Sequence, residues 1–332
     1  MRNRLVILPT YRTPVPGRLP LSTEPGFVET TIHPAGGTLS ASLSATQSFK
    51  EYFRLTKPRI ALLIVISTAV GYCYGVGASF HFIAFVHALI GTTLLSAGAA
   101  TLNQWMERDW DARMHRTRTR PIPSGTVRSR DALRFGVALN IVGVLELWFF
   151  CNPLAATLGL LTSAGYLLAY TPLKRKHAVC TTVGALPGAM PPLIGFTAAS
   201  SHLGIDAWVL FSILFLWQFP HFHAIAWMYR EDYERAGVKM LAVARPFGAG
   251  LTIEILASLF LLVPITLAPT LLHMAGLVYF VAAIVLDLVF VYFGFQLARE
   301  RTRKRARGLL LASVLYLPLL FAFLVFDNSR FL

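Results

Sequence analysis

The chain has 332 residues, of which 55% are hydrophobic and only 14% charged, where soluble domains carry about 25% charged residues. That excludes an ordinary soluble domain and leaves a polytopic membrane protein, in which only helices or a closed barrel satisfy the backbone. The net charge is +14; its distribution, set out below, argues against a nucleic-acid partner. Cys73, Cys151 and Cys180 lie in or beside apolar runs with no CxxC pair, so neither a disulfide framework nor a cysteine metal site is expected.

In chain order, residues 1–48 are rich in Pro, Thr, Ser and Gly and read as a disordered tail. Residues 49–332 read as one intramembrane domain. Its apolar runs are close to twenty residues long and do not alternate, which selects helices over a barrel. Nine spans are expected, at about 60–77, 82–104, 132–150, 153–172, 179–199, 206–228, 249–268, 273–297 and 308–326. The connections after the first, third, fifth and seventh carry no Lys or Arg, and 29 of the 30 basic residues fall on the other side. The positive-inside rule makes that side cytoplasmic, with the N-terminus inside. The run Arg299–Arg307 reads as part of this orientation signal.

Orientation does not explain acids, which contribute little to it. Asn103, Glu107 and Asp111 are four apart at the inner end of the second span. Each step of four drifts by about 40°, so their oxygens share a helical stripe about 12 Å long. Four arginines and a histidine follow, up to Pro121. Aligned oxygens suit a hard divalent cation such as Mg²⁺, and the cations suit phosphate. The competing reading is a solvated loop whose acids and bases neutralise each other.

A second acidic cluster, Glu231 and Asp232, follows the sixth span on the same face. Lys57, Arg59, Arg113, Arg116, Arg120, Lys174 and Arg175 stand there too, above an apolar interior. A diphosphate head with a greasy tail fits that arrangement. The metal and cations would neutralise the leaving diphosphate. Tyr170, Trp217, Phe219 and Phe222 would steady an allylic cation, and burial would exclude water. The reaction class is prenyl transfer.

The run NQWMERDWDARMHRTRTRP, residues 103–121, resembles the NxxxERDxDxxMxRTxxRP signature of the protohaem IX farnesyltransferase (haem O synthase) family. That family lies within the intramembrane (UbiA-type) prenyltransferase superfamily. Leu55-Thr-Lys57-Pro-Arg59, Tyr170-Thr-Pro-Leu-Lys174-Arg175, and Pro220-His221-Phe222 followed by Asp232-Tyr233 match in order. The resemblance implies transfer of farnesyl from farnesyl diphosphate to the 2-vinyl group of haem b, with addition of water, using Mg²⁺. It assigns Asn103, Glu107 and Asp111, with Glu231 and Asp232, to the metal, and Tyr170 to catalysis. It assigns Lys57, Arg116, Arg120, Lys174 and Arg175 to the diphosphate. Glu107 stands where many of the wider superfamily carry Asp, and the second motif departs from DxxxD spacing. The implied setting is the inner membrane of a bacterium, with the site facing the cytoplasm and the next enzyme of haem A synthesis as a candidate partner. The tail's Glu24, Glu29 and prolines suit a mitochondrial presequence poorly, so the mitochondrial inner membrane is the alternative.

His221 is the candidate partner of the haem; His223 reads as a bundle histidine bonded within the core. Asp287 falls mid-span without an evident role. The alternatives are a prenyltransferase for an aromatic or quinone precursor and a transporter, for which broken helices and midplane charges are expected. Because the acid stripe is read as facing water or the site, Glu107→Gln and Asp111→Asn are expected to spare stability.

Overall fold

The computed structural model describes residues 45–76 and 80–328, all within the unit Leu43–Leu332. The expected tail lies outside the described residues except for 45–48, which already form the start of a helix.

The helices are α1 (Ala45–Leu55), α2 (Pro58–Gly75), α3 (Phe82–Asp111), α4 (Ser129–Phe150), α5 (Pro153–Ala164), α6 (Thr171–Leu173), α7 (Cys180–Ala189), α8 (Pro191–Ser200), α9 (Ile205–Met228), α10 (Arg230–Arg235), α11 (Leu241–Ala244), α12 (Ala249–Leu271), α13 (Leu277–Arg299) and α14 (Arg303–Phe326). A π-helical turn, Gly165–Tyr170, joins α5 to α6 into one span. Among the described residues eight helices are long and apolar enough to cross a membrane. The outward faces carry exposed large apolar side chains such as Ile83, Phe149, Leu168 and Leu271, as lipid requires.

The fifth expected span, 179–199, is two ten-residue helices instead of one. The reason is chemical: Pro191 and Pro192 supply no N–H, and their rings clash with the preceding turn. The second piece, α8, is buried from Pro191 to Ala198, so the broken span forms the axis of the bundle. It packs closely on α2, where a Cβ on Gly71 would overlap the Pro192 carbonyl and one on Gly75 that of Phe196. Small residues let backbones meet this way where lipid offers no hydrophobic drive between helices.

On the other side α9 lies against α12 and α14. Trp217 Nε1 donates to Ser313 O at 2.9 Å. The unexplained Asp287 is buried and spans three helices: Tyr316 Oη donates to its Oδ1 at 2.5 Å and Thr266 Oγ1 to its Oδ2 at 2.6 Å. A broken helix and a midplane acid are both present, as a transporter would have. Here the acid is fully occupied in tying α12, α13 and α14 together.

Candidate active site

The acid stripe ends α3, and Asn103, Glu107 and Asp111 are all buried there. Each meets a different cation. Lys57 Nζ donates to Asn103 Oδ1 at 3.0 Å, Lys174 Nζ to Glu107 Oε1 at 2.7 Å, and Arg120 Nη1 to Asp111 Oδ2 at 2.6 Å. Three chain segments, far apart in sequence, thus converge on one helical face.

Local structure explains each arrival. Lys57 sits between α1 and α2 with φ 51°, a left-handed conformation rare for a side chain other than Gly or Asn and disfavoured before proline. Gln104 Nε2 holds the Leu55 carbonyl at 2.8 Å, fixing α1 to α3 just before that turn. Lys174 follows the π-helical turn, a distortion frequent at functional sites. There Thr171 Oγ1 donates to Tyr166 O at 2.9 Å and accepts from Asn103 Nδ2 at 3.2 Å. The turn sets the Tyr166 and Tyr170 rings 5.3 Å apart, with Lys174 Nζ 4.5 Å from the Tyr170 centroid.

The loop after α3 is not a solvated tether. Met114, Ile122 and Val127 are buried, and Ile122 and Val127 form a small core with Leu55 and Ala132. Thr117 Oγ1 donates to the Asp111 carbonyl at 2.9 Å, which curls Arg120 back onto the stripe. The acids and bases do neutralise each other, but inside the protein.

Electrostatics follow from this crowding. Burial, then the Arg120 and Lys174 charges, pull Lys57 down to about 7, against the raising effect of Glu107 and Asp111. Burial works against Lys174 most strongly of all, but the Glu107 carboxylate, its hydrogen bond and the Tyr170 and Tyr166 phenols together outweigh it and keep this ammonium protonated well above the ordinary lysine range.

The UbiA prenyltransferase family model matches residues 64–325. The chain belongs to the UbiA prenyltransferase family. It is 50% identical over 288 residues to the protoheme IX farnesyltransferase of Solibacter usitatus (strain Ellin6076), covering 84% of this chain and 99% of that one. It is 44% identical over 290 residues to the protein of the same name from Koribacter versatilis (strain Ellin345), covering 84% and 94%. Among solved structures, a digeranylgeranylglyceryl phosphate synthase superposes with TM-score 0.72 at 17% identity, covering 85% of this chain and 99% of that one. A UbiA homolog from Archaeoglobus fulgidus bound to GPP and Mg²⁺ does so with TM-score 0.55 at 18% identity, covering 82% and 99%. These structural likenesses show a shared fold.

The second acidic motif meets the loop that follows the stripe. Asp232 accepts from His115 N at 3.2 Å and Arg116 N at 3.3 Å and pairs with Arg235. Burial would raise its carboxyl, but these two backbone N–H groups and Arg235 hold it below the usual carboxylate range. It therefore joins the two acidic tips by gripping the loop. Glu231 is exposed. Among the described residues no three His, Cys, Asp or Glu side chains are gathered for a metal. One observation fits a hard cation on the stripe: Asp111 Oδ1 is buried with no hydrogen-bond partner.

The remaining candidates are dispersed. Arg116 lies 4.6 Å from the Tyr229 ring centroid and donates to Tyr233 Oη at 3.1 Å; Arg175 lies 4.9 Å from that of Trp110. His221 Nδ1 meets Ser313 Oγ at 2.8 Å, and its ring stacks on Trp217. His223 Nε2 meets Glu254 Oε2 at 2.8 Å, while its buried Nδ1 has no partner. Sequence reasoning missed Thr171, Tyr166 and Gly184. A Cβ on Gly184 would lie 2.6 Å from Tyr170 Cε2, so that glycine makes room for the Tyr170 ring. Tyr166 could have been found from its i, i+4 spacing to Tyr170.

Proposed function

We propose that this chain transfers the farnesyl group of farnesyl diphosphate to a vinyl group of haem b, with addition of water, giving haem O and diphosphate. The observation that carries the reading is 50% identity over 288 residues to a protein named protoheme IX farnesyltransferase, in a chain whose three site cations converge on one acidic stripe. The allylic C–O bond breaks, a C–C bond forms to the vinyl terminus, water's hydroxyl adds to the inner vinyl carbon, and its proton is released.

Lys57, Arg120 and Lys174 bind the diphosphate oxygens and offset the charge that grows on them as the C–O bond ionises. Until substrate arrives, Lys174 and Arg120 neutralise Glu107 and Asp111 in a preformed low-dielectric site, and Lys57 donates to Asn103. Asn103, Glu107 and Asp111 would hold Mg²⁺, which supplies Lewis-acid stabilisation of the leaving group when bound. Asp232 positions the loop that carries Arg116 and Arg120. The Tyr170 and Tyr166 faces line the exit from the cations and favour a developing allylic cation, and the buried surroundings exclude water from it. His221, whose ring is held by Ser313 and Trp217, is the proposed haem-side histidine. A bacterial inner membrane, with the basic face and the site on the cytoplasmic side, completes the reading.

Purified protein in lipid nanodiscs, given labelled farnesyl diphosphate and Mg²⁺, should move label to haem b and yield a product heavier by one farnesyl and one hydroxyl group. Chelation of the metal should stop it, and Asp111→Asn should abolish it. Label moving to 4-hydroxybenzoate and never to haem would replace this acceptor with an aromatic one.

A further inference from the structure

A cavity of about 820 Å³ opens beside the acid stripe, between the His115–Arg116 loop, the end of α9, α10 and the turn at Arg301–Arg303. Its size falls within the range of small-molecule sites. Lys57, Arg120 and Lys174 do not line it, so it is not the diphosphate site, although Arg116 and Asp232 border both.

The charges in its wall are unequally engaged. Arg235 is taken by Asp232. Arg301 donates to Pro246 O at 2.7 Å, Gly248 O at 3.0 Å and Thr252 Oγ1 at 2.8 Å, which makes it a brace for the α11–α12 segment. Arg230 only overlies the Trp227 ring, at 4.8 Å. Arg303, one of the residues read as an orientation signal, is exposed and makes no ion pair or hydrogen bond among the described residues. Against these guanidinium groups the wall offers one acid without a partner, Glu231. Tyr229 and the largely buried Trp227 also line it.

Free guanidinium forks recognise carboxylates in pairs, and aromatic walls suit a flat conjugated ring. An amphiphile with two carboxylates on one edge of a planar macrocycle matches both. We propose that this cavity seats the propionate edge of the porphyrin acceptor, with Arg230 and Arg303 pairing its carboxylates. This rests on the haem reading above. It turns the propionates toward water and leaves the opposite, vinyl-bearing part of the ring to approach the allylic carbon.

Esterification supplies a test that needs no variant. Binding of ferric haem and of its dimethyl ester is followed by Soret absorbance in zwitterionic nanodiscs. The unaltered chain should prefer the diacid by about tenfold or more, as expected when charged hydrogen bonds are lost. Arg230→Gln with Arg303→Gln should bind both porphyrins alike while keeping its affinity for inorganic pyrophosphate. No preference in the unaltered chain, with haem still farnesylated, overturns the seat and leaves the function standing. So does a double variant that keeps the preference. An effect of the double variant seen only in anionic discs assigns these arginines to lipid headgroups and also overturns it. Failure to bind or farnesylate either porphyrin removes the haem reading and the seat together.

Discussion

Lys174 Nζ stands 2.7 Å from Glu107 Oε1 and 4.5 Å from the centroid of the Tyr170 ring, so one ammonium links the acid stripe to the aromatic wall. Both members of the pair are largely buried, at 15% and 8% side-chain exposure. The expectation that acid-stripe variants would spare stability therefore fails for a physical reason: a charge left alone in this pocket has no water to turn to. Lys174→Met should cost about 3–5 kcal/mol, the scale for breaking a buried pair. Glu107→Gln keeps one hydrogen bond and should cost about 1–3 kcal/mol. The double variant should lose less than the sum of the singles. Thermal unfolding in one detergent measures all three, and strict additivity would mean that the contact contributes nothing.

Lys57 gives the site a pH signature. Its folded value of about 7 lies below its ordinary 10.5, so between these pH values the folded chain binds fewer protons than the unfolded one. Stability from this group therefore rises with pH through that window. A bound diphosphate reverses the balance, because an anion beside the ammonium favours the charged form. At pH 8 pyrophosphate binding should thus draw in a proton, seen as a calorimetric enthalpy that changes with the ionisation enthalpy of the buffer. In Lys57→Met that buffer dependence should shrink and affinity should fall. An unchanged dependence in the variant would place the proton uptake elsewhere.

The acid stripe was legible because helical periodicity needs only local spacing: Asn103, Glu107 and Asp111 lie on one buried face of α3 as counted. The basic partners were legible as a set but not as pairs, since which cation meets which acid depends on the π-helical turn before Lys174 and the left-handed turn at Lys57. Neither distortion has a signature in hydropathy. The fifth span read as continuous because apolar composition hides a break, although Pro191-Pro192 marks it chemically. Asp232 was legible as an acid on the same face as the stripe; the two backbone N–H groups it accepts from, more than a hundred residues away, were not.

Gly184 offers a way to disturb the aromatic wall without touching a charge. Its added Cβ would press on Tyr170 Cε2 at 2.6 Å, whereas one on Gly165 would meet nothing nearer than Pro187 Cβ at 3.9 Å. Gly184→Ala should lower kcat by about tenfold, an effect of near 1.4 kcal/mol, and leave pyrophosphate affinity unchanged. Gly165→Ala should behave as the unaltered chain. Equal kinetics for the two variants would show that the Tyr170 ring position does not matter to turnover.

Asp287 separates structure from chemistry. It is 3% exposed, far along the chain from the acid stripe, and both oxygens are bound by Tyr316 and Thr266. Tyr279 Oη reaches the Thr266 carbonyl at 2.7 Å and extends the cluster. In a medium without water, a hydroxyl that loses its acceptor stays unpaired, at a cost of about 1–3 kcal/mol. Asp287→Leu should lower the unfolding temperature accordingly. Tyr316→Phe in the same chain should recover part of the loss, because it removes the stranded hydroxyl. Pyrophosphate affinity should stay within about twofold in every variant that folds, as expected for a site with no shared partner. If Asp287→Asn instead stops turnover or solute flux while the unfolding temperature holds, then this acid lies on a working path through the membrane, and its assignment as a tie between three helices is wrong.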